Sequence, residues 1–134
     1  MTIPNAVTAL VAYLDAALDE DVTVYGTEIP EADASEMPRK AVVVSFAGGM
    51  PERGPVNRPR VDVVCYGATP LESQTVFLAA QSALGTLDRG AHGAALLYDA
   101  VQDGGPSSMR QPDTRWPITW GSFLIQASKT STEE

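Results

Sequence analysis

The sequence predicts an α+β domain built from two main helices and about four to five strands. Three observations predict it. Residues 5–19 carry apolar side chains at helical spacing. β-Branched and alternating apolar runs recur along the rest of the chain, and Gly- and Pro-rich stretches punctuate the boundaries between them. With 134 residues, 44% of them hydrophobic and 19% charged, the chain has an ordinary globular balance. It suits a single domain over residues 1–134 with a modest core, and it excludes a wholly disordered polymer.

The first element is the stretch "NAVTALVAYLDAALD", residues 5–19. It places Val7, Leu10, Val11, Leu14 and Leu18 on one helical face. "DVTVYG" follows as a short strand stopped by Gly26, and the Pro- and acid-rich "TEIPEADASEMPRK" as a surface loop. "AVVVSFA", residues 41–47, is β-branched enough for a buried strand. The next stretch, "GGMPERGPVNRP", has six Gly and Pro residues within residues 48–59 and is expected to deny regular structure, forming a long arm between two strands.

The chain resumes in "RVDVVCYG", where alternation sets Val61, Val63 and Cys65 on one face and Asp62, Val64 and Tyr66 on the other. Thr69, Pro70 and Glu72 then fit N-cap, N1 and N3 of a second helix. The Thr hydroxyl and the Glu carboxylate can each take an orphaned backbone N–H, and Pro has none to lose. That helix runs on through Leu71, Val76, Leu78, Ala79, Ala83, Leu84 and Leu87, until "DRGAHGA" ends it. Two extended runs, "AALLYDAVQ" and "WPITWGSFLIQAS", are separated by the turn-rich "DGGPSSMRQPDTR". Residues 129–134, "KTSTEE", are expected to be a mobile tail.

The net charge of −8 is unevenly distributed. Residues 1–38 hold Asp15, Asp19, Glu20, Asp21, Glu28, Glu31, Asp33 and Glu36 and no Lys or Arg. Arg39, Lys40, Arg53, Arg58 and Arg60 gather five of the nine basic side chains just beyond. Such segregation suits self-association or the steering of a partner, and equally a solvated acidic face. A protein that grips DNA tightly carries a basic surplus, and here the balance is reversed.

No pattern for catalysis or cofactor binding emerges. A phosphate-binding turn needs several glycines or a Gly-Lys pair, whereas "YGATPLE" has one Gly and no Lys. Cys65 repeats the apolar face of Val61 and Val63 and is expected to be a small buried hydrophobe. His92, the one histidine, lies near glycines and is expected in a turn. No Cys-x-x-Cys, His-Glu-x-x-His or Gly-x-Ser-x-Gly occurs, and the acids lack the order of a calcium loop, so neither metal nor cofactor is expected. Trp116 and Trp120 fall on one face of an extended run, as core or interface packing requires. A lone cysteine, with no signal-peptide pattern and no apolar run of about 18 residues, gives the cytoplasm as the expected compartment, without a membrane.

The order of several phrases carries a resemblance. "ALVAYLDAAL", "VYGTEIP", "PRKAVVVSFAGG", "VDVVCYGATPLESQTVFLAAQSAL" and "LLYDAVQDGGPSSMRQPDTRWPITWGSFLIQA" together resemble the small tail terminators of long-tailed, siphovirus-like bacteriophages. Tail-to-head joining proteins belong to the same broad family. The resemblance covers residues 5–127 and implies helices packed on one face of a mostly antiparallel or mixed sheet. It also implies a non-enzymatic virion subunit, assembled in the host cytoplasm, of which six close into a ring at the tail–neck junction. That ring would cap the tail tube protein, end tail polymerisation, dock the neck connector or head, and let DNA pass without specific binding. On this view Met50, Arg53, Val56 and Arg58 of the arm, with Arg39, reach a neighbouring subunit or the tube. Glu28, Glu31, Asp33 and Glu36 face the pore or the next subunit. A head-completion (stopper or adaptor) neck protein and a small-molecule-binding or enzymatic domain are the alternatives.

Overall fold

The computed structural model describes residues 6–29, 35, 39–53, 56–86, 90–92, 95–112 and 114–129. They form two helices, α1 (Ala6–Ala17) and α2 (Pro70–Gly85), and the strands β1 (Thr23–Gly26), β2 (Ala41–Arg53), β3 (Val56–Tyr66), β4 (Gly90–His92), β5 (Ala95–Arg110) and β6 (Pro117–Lys129). The strands make one six-stranded sheet in the order β1-β2-β3-β6-β5-β4. β1 runs parallel to β2, and every other neighbouring pair is antiparallel. The fold is therefore α+β on a mixed sheet, with one strand more than expected. The extra strand, β4, places His92 opposite Ala95 in a ladder rather than in a turn. Three residues flanked by glycines are too few to show alternation.

Both helices pack on the same face. α1 contributes Val7, Leu10 and Leu14, with Val11 and Leu18 at its flank, and α2 contributes Val76, Phe77, Ala80 and Leu84. The sheet meets them with Val42, Val44, Val61, Val63, Cys65, Phe123 and Ile125. Each large apolar side chain buried this way stabilises the fold by roughly 1.5–3 kcal/mol. Ser73 and Thr119 are the buried polar members, and their hydroxyls bond each other at 2.9 Å. Ser73 also donates to the Pro70 carbonyl, and Thr119 shares a second hydroxyl contact with Ser108, so neither oxygen is stranded.

α2 begins where the sequence places it. Thr69 has extended backbone angles, and its Oγ1 accepts the Glu72 N–H at 3.1 Å. The Glu72 carboxylate accepts the N–H of Ala68, one residue before the cap. Gly67 makes the joint possible, since a Cβ there would stand 2.5 Å from the Ser73 nitrogen. Leu71 and Leu78 are 72% and 59% exposed. The buried stripe is Ser73, Val76, Phe77, Ala80 and Leu84, and residues 71 and 78, seven apart, share the opposite line of the helix. Leu87 lies outside the described residues.

Two stretches expected to be irregular are strands. Residues 48–53 and 56–59 continue β2 and β3 as a paired hairpin, with Gly49 opposite Pro59, Met50 opposite Arg58 and Arg53 opposite Val56. Register shifts between Phe46 and Gly49 and between Met50 and Arg53 absorb the Gly and Pro residues. β6 extends the pairing from the other side, with Ser128 opposite Val56 and Ala127 opposite Asn57. Likewise β5 runs through Asp103–Arg110, with shifts around Gly104. Gly105 has φ +77, and a Cβ there would stand 2.7 Å from the Trp120 carbonyl oxygen. The turn itself is confined to residues between Gln111 and Trp116, which exchange a 2.9 Å backbone bond. Lys129 belongs to β6, opposite Ala95, rather than to a tail, and residues 130–134 lie outside the described set.

Candidate functional site

The pleat that sends Val42, Val44, Val61 and Val63 towards the helices sends their neighbours the other way. Ala41, Val43, Tyr66 and Ile118 are buried on the helix-free face, with Tyr25, Ile29, Val64, Trp116 and Trp120 packed partly buried against them. The two tryptophans thus share a face, as their spacing requires. Thr27 creates the cover over this cluster. Its φ of +72 and its N–H bond to the Val44 carbonyl, 2.7 Å, turn the chain after β1 back across the sheet. Glu28 and Ile29 are thereby set beside Val43 and Val64.

The result is a recess of about 330 Å³. Ile29, Val43 and Val64 are its aliphatic walls, and Tyr66 and Trp116, edge to face with centroids 6.2 Å apart, give it an aromatic side. Gln111 donates to the Tyr66 hydroxyl at 3.1 Å. Burial raises the Tyr66 phenol pKa, and that hydrogen bond partly offsets the rise. Glu28 is exposed and is the one charged side chain in the lining. Further along the same face the surface turns polar, where Ser122 donates to Asp62 at 2.7 Å and Arg60 pairs with Asp103 at 2.6 Å.

The expected interface residues fall into two groups that the structure does not bring together. Met50, Arg53, Val56 and Arg58 line the β2–β3 hairpin, where backbone pairing alone is described. Arg39 lies at the other end of β2, and its guanidinium donates to the Tyr25 hydroxyl at 2.6 Å. Of the acidic group, Glu28 is at the recess, and Glu31, Asp33 and Glu36 lie outside the described residues. The charge segregation is partly resolved within the subunit. Lys40 and Asp21 pair at 2.9 Å, and this contact lowers the Asp21 pKa and raises that of Lys40. Arg39, Lys40 and Arg60, the clustered basic residues whose side chains are described, therefore have partners inside the subunit.

Sequence reasoning did not locate the recess, although a signal was present. The unbroken "AVVVSFA" run implies a strand apolar on both faces, and hence a second cluster besides the one under the helices. Cys65 is buried, and desolvation pushes its thiol pKa well up, so it is a protonated core side chain at neutral pH. Among the described residues no three His, Cys, Asp or Glu side chains gather as a metal-binding group, and no helix is long and apolar enough to cross a membrane. Compared with protein-family models and with curated proteins, the chain matches none.

Proposed function

We propose that the protein is a structural virion subunit, a tail terminator that closes into a ring on the last ring of tail tube protein. It ends tail polymerisation and offers the surface to which the neck or head docks. Six copies is the number the resemblance implies. The observation that carries this reading is the β2–β3 hairpin. Its strands stay paired as far as Arg53 and Val56, through a stretch rich in Gly and Pro. A long paired hairpin is suited to contact outside the subunit, and heterologous contacts of that kind close into rings when the rotation allows. The helix-free face, with aromatic side chains only partly buried, supports the same reading.

The test combines mass and place. Native mass spectrometry and light scattering of the purified protein should give a closed ring, and imaging of particles should find it at the tail–neck junction. A protein that stays monomeric at high concentration and is absent from the tail end of particles defeats the proposal. A location on the portal side instead identifies a head-completion protein.

A further inference from the structure

We infer that the recess on the helix-free face receives an arginine from the β2–β3 hairpin of a second copy of this chain. The inference rests on the ring reading and names the contact by which one subunit holds the next. Its chemistry starts from the lining. Tyr66 and Trp116 present aromatic surface, Ile29, Val43 and Val64 surround it with aliphatic groups, and Glu28 at the rim supplies one negative charge, with no basic residue in the lining among the described residues. A guanidinium fits that combination better than an ammonium does. It is planar and weakly hydrated, so it can lie on an aromatic ring while its edge pairs with a carboxylate.

The sequence offers two such groups in the right kind of element. Arg53 and Arg58 both lie on the hairpin, beside Met50 and Val56. The hairpin cannot turn back into its own recess. Arg53 lies ten positions beyond Val43 on β2 and Arg58 six positions before Val64 on β3, and at about 3.3 Å per residue these are separations of about 30 Å and about 20 Å. Only another molecule can bring them together. Because donor and acceptor occupy opposite ends of one strand, the contact is head-to-tail. Each subunit that gives a hairpin still has a recess to offer, and repetition leads to a ring or a filament rather than to a symmetric dimer. Charge favours the same pairing, since the recess is built in part from residues 27–29, within the segment 1–38 that contains eight acids and no base.

Complementary half-defective proteins test this. One variant carries Arg53→Ser and Arg58→Ser and keeps its recess. The other carries Glu28→Gln and Trp116→Ala and keeps its hairpin. Sedimentation velocity of either alone should show the concentration for half-assembly raised by about tenfold or more. Their equimolar mixture should form a one-to-one heterodimer and nothing larger, because just one of the two contacts is then intact. Glu28→Arg, which changes only an exposed side chain, guards against a folding defect at Trp116 and should also block assembly while leaving the thermal transition unchanged. If the native chain forms rings and these variants form them equally well, the recess is not the acceptor, and the ring reading stands without it. A native chain that remains monomeric throughout removes both.

Discussion

Thr69 serves the joint between β3 and α2 in a way that isolates a local energy from assembly. Its hydroxyl accepts an N–H that the first turn of the helix cannot otherwise satisfy. Thr69→Ala should therefore lower unfolding stability by about 1 kcal/mol, measured by denaturant titration, and leave the mass of the assembled species unchanged. A loss of assembly at equal stability would show that the corner is itself a contact. Cys65 gives a second residue-scale prediction. A thiol reagent at mildly alkaline pH should modify it only as fast as the protein unfolds, and denaturant should make the reaction immediate. The pH dependence has a definite sign. Burial raises the folded-state thiol pKa above its ordinary 9.0, so this contribution is complete below that pH and declines as pH rises past it. Rapid labelling of the folded chain would contradict a thiol enclosed by Val61, Val63 and the helices.

At the scale of elements, the hairpin contains the clearest separation between folding and association. Met50 and Arg58 already face each other in the ladder, so residues 51–57 can be replaced by an Asn-Gly turn without altering the register below. The shortened protein should unfold within about 1 kcal/mol of the native one, because the exchange removes the distal end of the β2–β3 ladder and the last two pairs of β3 with β6. It should fail to assemble or to complete tails. Normal assembly would make the hairpin a passive projection. The same element explains which parts of the fold were legible in the sequence. Elements with a strong period were readable: the α1 face, the Val61-Val63-Cys65 alternation and the Thr69-Pro70-Glu72 start of α2 all stand as read. The hairpin and the second half of β5 were not, because Gly and Pro report local preference, while the partner strand that satisfies the backbone and the bulges that admit Pro51 and Gly105 are non-local. Which line of α2 is buried was not legible either, since an apolar side chain on a helix, such as the exposed Leu71 and Leu78, does not by itself tell which line faces the core. The recess was not read for a related reason: beyond the apolar run of β2, it joins residues from the β1 exit, two strands and the β5–β6 turn.

For the whole molecule, the decisive quantity under the proposed ring is the net charge of −8 and where it acts between copies. Two arrangements of the acidic segment make opposite predictions. If carboxylates such as Glu28 pair with hairpin arginines of the next subunit, salt weakens the ring. Its fraction should fall as ionic strength rises past about 0.15 M, where the Debye length is about 8 Å. The aromatic and aliphatic part of the contact is not screened, so the decline should level off rather than run to complete dissociation. If the acids instead face a central hole, they repel the phosphates of passing DNA, as a conduit requires, and they also repel one another. Salt then relieves that repulsion, and the ring is stabilised. The protein with Glu28→Gln and Glu31→Gln distinguishes the two: neutralisation should flatten the salt dependence and weaken the ring under pairing, or strengthen it at low salt under pore repulsion. Pairing is the outcome expected under the proposed contact, because Glu28 stands at the recess offered to the hairpin arginines. The measurement is the ring-to-monomer ratio by native mass spectrometry or sedimentation from low to high salt for both proteins. A ring indifferent to salt in both excludes the two electrostatic roles together and leaves apolar contact as the force that closes it.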